Sequence, residues 1–317
     1  MSGSSTPGTA GGTPATVTDP YTVELAPGTY AYVQPDGGWC LSNAGWVTDG
    51  GAALLVDTAA TERRTLRLRE TLLGTGAPPP SYVVNTHHHG DHTYGNSHFT
   101  PDAAVIAHAA CRDQVLSVGH QLHAMWPEND FGDIRITAPT ITYEDELSVH
   151  VGGTEVRLIH PGVAHTTGDT IVWLPEQGVV FTGDLIFEGG TPFLPMGSLS
   201  GSLRALDRLR GLGARTVVPG HGPVTDAGAY DRTERYLRYV DETARKAHAA
   251  GRTPLEAARE AGPGEFAGLR ESERLVANLH RAYAELDGRP DGVPLDVAMV
   301  FGDMAELNGG KPVACHA

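Results

Sequence analysis

Between residues 21 and 224 the chain alternates short apolar runs with turns and a few helical stretches. The run at 30–33 predicts a strand, and 39–47 with 52–56 predict a hairpin across Asp49-Gly50-Gly51. Residues 61–73 predict a helix, with Leu66, Leu72 and Leu73 apolar and several arginines outside, closed off by Pro78-Pro79-Pro80. Further strands are expected at 82–84, 104–107, 147–151, 156–159, 170–174, 179–182 and 216–218, and helices at 109–118 and 202–212. After Asp226 the pattern becomes Ala, Glu, Arg and Leu at helical spacing, predicting helices at 227–250, 254–261, 271–287 and 295–307. Mixed sheets flanked by helices, closed by a helical appendage, satisfy this order of elements. It divides the chain into a tail at 1–20, a mixed α/β domain at 21–225 and a helical region at 226–317.

Composition narrows the picture. An apolar content of 40% over 317 residues is enough for a sizeable core. The formal net charge of -15 argues against nucleic acid as a partner, which selects basic surfaces. Three cysteines at long, irregular spacing (Cys40, Cys111, Cys315) argue against a disulfide framework and for a reducing cytoplasm, and none stands in a C-x-x-C pair. Residues 1–20 are rich in Gly, Ser, Thr and Pro and predict a disordered tail rather than a leader or anchor. No run of 18 apolar residues occurs, so no membrane helix is expected.

The chemistry concentrates in Asn85-Thr86-His87-His88-His89-Gly90-Asp91-His92. His87, His89, Asp91 and His92 form the pattern H-x-H-x-D-H directly after an apolar strand. Strand alternation aims His87 and His89 the same way, and the turn at Gly90 redirects Asp91 and His92, so one loop can serve two adjacent metal ions. Imidazole nitrogen and carboxylate oxygen are zinc donors, and iron and manganese accept the same set. Three later segments end strands or open loops with a donor: His165 before Thr166-Thr167-Gly168-Asp169, Asp184 after Phe181-Thr182-Gly183, and His221 between Gly220 and Gly222. Each is weak alone; together they make seven ligands, enough for two ions. Such a pair, roughly 3.5–4 Å apart, can share a water and lower its pKa to about 7. Asp91 and Asp184 are the candidate catalytic carboxylates. Thr86, Thr166 and Asp169 are candidates for orienting the ligands.

These motifs resemble the metallo-β-lactamase-fold superfamily across about residues 21–225. The resemblance implies an α/β fold in which two βα halves pack as an αββα sandwich. It implies that His87, His89 and His165 hold a first zinc, that Asp91, His92 and His221 hold a second, and that Asp184 bridges them. It also implies a thioesterase or lactonase rather than a β-lactamase, whose counterpart of Asp184 tends to be a cysteine or serine.

A wider resemblance, to the actinorhodin-type aromatic polyketide cyclases, rests on residues 37–45, Trp126-Pro127, Phe131-Gly132-Asp133-Ile134, Thr191-Pro192-Phe193, Gly197-Ser198, residues 273–282 and Asn308-Gly309-Gly310. It implies hydrolysis, and ring closure, of an aromatic acyl substrate tethered to an acyl carrier protein. Trp126, Phe131, Phe187, Phe193 and Met196 would line its pocket, and the arginine pairs Arg63/Arg67 and Arg204/Arg208 are candidates for docking the acidic carrier. Glyoxalase-II-type hydrolysis of small thioesters or lactones is the alternative, although no basic cluster to anchor glutathione stands out. A metal-binding protein without catalysis is the other class left open.

Overall fold

The structure is a computed structural model that describes residues 19–317. Two sheets form its centre. The first has seven strands in chain order: β1 (Tyr21–Ala26), β2 (Thr29–Val33), β3 (Ala44–Asp49), β4 (Ala52–Val56), β5 (Tyr82–Val84), β6 (Ala104–His108) and β7 (Ile141–Tyr143). It is antiparallel from β1 to β4 and parallel from β4 to β7. The second has five: β8 (Glu146–Val151), β9 (Thr154–Ile159), β10 (Ile171–Leu174), β11 (Val179–Phe181) and β12 (Thr216–Val218), in the order β12-β11-β10-β9-β8.

Alternation along the strands builds the layers. Leu54, Val56, Val84 and Ile106 from the first sheet meet Val156, Leu158, Val172, Phe181 and Val218 from the second in one apolar core between the sheets. The alternate positions Leu55, Val83 and Val105 point outward with Trp46, against Leu68 and Leu72 of α1 (Glu62–Gly74). On the other flank, Val180 and Val217 face the helices α5 (Leu199–Leu212), α6 (Gly228–Ala249), α8 (Arg274–Leu286) and α9 (Val297–Leu307). The result is the expected αββα sandwich with additional C-terminal helices. The smaller helices are α2 (Gly90–Thr93), α3 (Ala109–Val118), α4 (Gln121–Met125) and α7 (Pro254–Ala261). Among the described residues, no helix is long and apolar enough to cross a membrane.

The structure corrects several local expectations. The apolar run at 39–47 is a strand only from Ala44: the Leu41 amide donates to the Gly38 carbonyl, and Asn43 Nδ2 donates to the carbonyls of Pro219 and Gly222, so the chain turns instead of extending. β1, β7 and α4 lie in segments whose patterns are too short or too polar to stand out. The tail expected at 1–20 lies outside the described residues except for its last two.

Helix α8 explains what the C-terminal helices do. Its buried face carries polar side chains that hold the segment 191–195 by its backbone. Asn278 Oδ1 accepts from Leu194 N–H at 2.9 Å, and Asn278 Nδ2 donates to the Pro192 carbonyl at 2.8 Å. Arg274 Nη1 donates to the Thr191 carbonyl at 2.9 Å, and Arg281 Nε to that of Pro195 at 3.1 Å. Both arginines are buried. Removing such a partner strands the groups it served at roughly 1–3 kcal/mol each. Asn278→Ala is therefore expected to lower unfolding free energy by about 3 kcal/mol, measured by urea denaturation; a loss below about 1 kcal/mol would show that the segment is held by other means.

Candidate metal centre

Every donor singled out in the sequence arrives at the same edge of the sandwich. β5 delivers His87 and His89 in the loop that follows it, and α2 turns Asp91 and His92 back toward them. His165 comes from the loop between β9 and β10, Asp184 from the turn after β11, and His221 from the turn after β12. Their donor atoms form two groups, His87, His89, His165 and Asp184 in one and Asp91, His92 and His221 in the other, each with its atoms within 4.8 Å of one another.

The Asp184 carboxylate lies between the groups. Its Oδ2 is 3.8 Å from His87 Nε2, 3.5 Å from His165 Nε2 and 3.4 Å from His221 Nε2, and its Oδ1 is 3.2 Å from His92 Nε2. His221 Nε2 is also 3.3 Å from Asp91 Oδ2. In the first group, His89 Nδ1 is 3.0 Å from His87 Nε2 and 3.1 Å from His165 Nε2. Despite this crowding, His92 Nε2 and Asp184 Oδ1 are buried without a hydrogen bond. A buried polar atom left unpaired is costly unless something else completes it.

The outer nitrogens explain why the inner ones are free. His92 Nδ1 donates to Asp57 Oδ2 at 2.8 Å. His87 Nδ1 meets Thr86 Oγ1 at 3.1 Å, and that hydroxyl donates onward to Asp57 Oδ2 at 2.6 Å. His165 Nδ1 donates to the Phe193 carbonyl at 2.6 Å, His221 Nδ1 to that of Gly37 at 3.2 Å, and His89 Nε2 to Met196 Sδ at 3.0 Å. With an acceptor at each outer nitrogen, the proton of a neutral ring belongs there and the inward nitrogen carries a lone pair.

Asp57 directly follows β4 with a left-handed φ of 57°, an unusual backbone for a residue other than glycine. Its role was not legible in the sequence, because an acid after an apolar strand has no distinguishing spacing. Thr86, singled out in the sequence, lies against the ring of the candidate donor His87. Thr166 and Asp169 instead hold their own loop: Asp169 accepts from the Thr166 amide and hydroxyl. Burial raises the Asp169 carboxyl to about 7.

Burial and charge divide the histidines. Burial holds His87 and His89 well below the usual imidazole range and takes His165 down to about 4. Burial also opposes charge on His92 and His221, but Asp184 and Asp91, with Asp57 at His92, outweigh it; His92 is lifted well above its ordinary value and His221 to about 9. Burial disfavours the Asp184 carboxylate, yet His221, His92 and His87 hold it well below the usual range, and His92 and His221 depress Asp91 in the same way.

Two glycines permit the close approach. A Cβ on Gly220 would fall 1.9 Å from Asp184 Oδ1, and one on Gly183, at φ 50°, would fall 2.6 Å from Thr86 Oγ1.

A cavity of about 50 Å³ opens onto His89, Asp91, Asp184 and His221, walled by Trp39, Trp126, Phe187, Phe193, Met196 and Phe301. Through Gln121, Phe193, Met196 and Phe301 it adjoins a second, apolar chamber of about 230 Å³ that reaches Pro195, Leu295 and Val300. Of the aromatic residues expected at the pocket, Phe131 lines neither cavity; it packs on Tyr94 and His123. Trp39 and Phe301 were missed because nothing in their local sequence sets them apart from core aromatics. The arginine pairs are largely matched by acids: Arg67 with Asp19, Arg204 with Asp291 and Arg208 with Glu146.

Comparison with known proteins agrees with this architecture. The family model for the metallo-beta-lactamase superfamily matches residues 37–221. The chain is 31% identical over 144 residues to the alpha subunit of a 2,4-dinitroanisole O-demethylase from a Nocardioides species, a match covering 45% of this chain and 40% of that one. It is 31% identical over 138 residues to the hydroxyacylglutathione hydrolase of Methylococcus capsulatus, covering 43% of this chain and 46% of that one. The chain thus spans less than half the length of these two relatives. Among solved structures, a metallo-beta-lactamase from Pontibacter korlensis is similar with a TM-score of 0.56 at 23% identity, covering 69% of this chain and 99% of that one, a likeness of fold alone. With more than half its length matching the family model, and two His/Asp groups consistent with a dinuclear metal site at the strand ends, this chain belongs to the metallo-beta-lactamase superfamily.

Proposed function

We propose that this protein is a dinuclear metal-dependent hydrolase of thioesters that carry an apolar acyl group. The observation that carries the reading is Asp184, a buried carboxylate within 3.8 Å of four imidazole nitrogens drawn from both donor groups. The residues fit a pair of metal ions: with the outer nitrogens tied to acceptors, a ring in its neutral form turns a lone pair inward, and His92 Nε2 and Asp184 Oδ1 lack partners. In this reading His87, His89 and His165 would hold one ion, Asp91, His92 and His221 would hold the other, and Asp184, placed between the two groups, would serve both. The nitrogen and oxygen donors suit zinc, and also iron or manganese. A bound pair supplies a nucleophile at neutral pH and positive charge opposite a developing oxyanion.

The chain's own residues do the remaining work. Asp57 fixes His92 directly and His87 through Thr86. The Phe193 carbonyl fixes His165. Asp91, ionised and open to the cavity, accepts a hydrogen bond from the attacking water and orients it. The aromatic wall excludes bulk water, which strengthens each of these interactions.

Cavity size selects the substrate. About 50 Å³ beside the donors admits a reacting carbonyl and a few waters but no large acyl group. The adjoining 230 Å³ exceeds the roughly 150 Å³ apolar cavity that holds benzene elsewhere. The similarity to hydroxyacylglutathione hydrolases supports thioester chemistry. The same chamber favours a second reading, thioester cleavage with ring closure on an aromatic polyketide bound to an acyl carrier. The matched arginines supply little free basic surface for an acidic carrier.

Zinc-loaded protein is expected to hold two metals per chain by elemental analysis, and His87→Ala and Asp184→Asn to lower kcat/KM by more than about a hundredfold. Full activity with one metal would defeat the bridging role of Asp184. Gly220→Ala should displace the Asp184 carboxylate and weaken zinc binding by about 10–100-fold while circular dichroism stays unchanged; unaltered affinity would remove the packing argument. Phenylacetyl and acetyl thioesters of N-acetylcysteamine should both be cleaved faster than benzylpenicillin. Leu295→Trp should lower the phenylacetyl-to-acetyl ratio of kcat/KM about tenfold. Penicillin turnover matching the better thioester would refute the thioester preference, and a constant ratio would refute the role of the chamber.

A further inference from the structure

Cys40 sits in the loop between β2 and β3 with a left-handed φ of 67°; it is buried and lines the metal-side cavity together with Trp39 and Asp91. The segment 311–317 crosses the outside of this loop. Trp126 Nε1 donates to the Val313 carbonyl at 2.7 Å, Arg64 Nη2 to that of His316 at 3.0 Å, and the His316 amide to that of Trp39 at 3.0 Å. That last bond sets the peptide group carrying the Cα of Cys315 against the one carrying the Cα of Cys40. The His316 ring lies over Gly38, where a Cβ would stand 3.0 Å from its Cδ2. Cys315, half-buried, packs on the same apolar cluster as Cys40, and the 3.0 Å bond from the His316 amide to the Trp39 carbonyl sets the two cysteines side by side. Cys111 lies apart, packed with Ala107 and Val115.

We propose that Cys40 and Cys315 are a redox pair whose disulfide fastens the segment 311–317 to the wall of the metal-site cavity. Two cysteines that flank one backbone hydrogen bond of 3.0 Å, each on an anchored segment, need little movement to join. The co-reactant is a hydroperoxide. The Cys315 thiolate, the more accessible of the two, attacks the peroxide oxygen, forming a sulfenic acid and releasing an alcohol or water. The Cys40 thiol then attacks the Cys315 sulfur, the S–S bond forms and water leaves. Two thiols are oxidised and one peroxide is reduced, and a dithiol reverses the change. Because Trp39 precedes Cys40 and lines the cavity, the redox state of the pair sets how firmly that wall is held. The inference stands independently of the thioesterase reading.

The test is hydrogen peroxide treatment of the full-length, zinc-loaded protein, followed by non-reducing digestion and mass spectrometry. A linked Cys40–Cys315 peptide is expected, two hydrogens lighter than the separate peptides, with loss of two of the three titratable thiols. Dithiothreitol should restore both. The oxidised protein should melt about 4 °C or more above the reduced one. Cys315→Ser should show neither the linked peptide nor the shift, and Cys111→Ser should show both. Cys40→Ala, carried through the same digestion, guards against misfolding of the first variant. Retention of all three thiols, a sulfinic acid at Cys315 without a bridge, or linkage only between chains or through Cys111 would overturn the proposal.

Discussion

The buried Asp184 carboxylate is the point on which the site turns. A negative charge removed from water at the base of a cavity is strongly unfavourable unless compensating groups surround it. Here four imidazoles face it, two of them lifted toward the charged form by the same acids they neutralise. That compensation depends on ring orientation. A histidine swung by a few tens of degrees would aim a donor where a lone pair is needed, so each outer nitrogen is tied to an acceptor. Asp57 therefore acts on two histidines while touching only one of them, and the Phe193 and Gly37 carbonyls act through a single contact each.

This requirement runs out into the fold. The Phe193 carbonyl is useful only while the segment 191–195 is held, and it is held by Asn278, Arg274 and Arg281 from the interior of α8. Helix α8 in turn packs among α6, α7 and α9, so the C-terminal helices support the candidate metal donors from behind and close the wall of the cavity through Phe301. The Arg274 guanidinium, 3.9 Å from the centroid of the Trp39 ring, ties the helices to the opposite wall. Fully buried arginines are tolerable here because they end on backbone carbonyls or, for Arg274, also on Glu271.

Much of this was legible in the chain. Period-two alternation at Leu54-Leu55-Val56 and Tyr82-Val83-Val84 assigns alternate residues to opposite faces, and the faces found are those two. Elements were missed or misplaced where a tertiary contact overrode the local pattern, as when Asn43 reaches across to Pro219 and Gly222 and stops a strand from extending through 39–43. Asp57 was missed for a related reason: its importance depends on a hydrogen bond to a residue 35 positions away.

The sequence by itself located most of the strands and the longer helices and singled out seven candidate donors, because hydrophobic periodicity and donor-rich strand ends are local properties; the sandwich came with the family resemblance that those donors carry. Only the tertiary structure decided the distances at which the two groups meet Asp184, which nitrogen of each ring faces inward and how much room the cavity leaves for an acyl group. It also brought Cys40 and Cys315, far apart in the sequence, onto one apolar cluster beside the backbone bond from His316 to Trp39. These outcomes depend on distances between segments far apart in the chain, which local patterning does not encode.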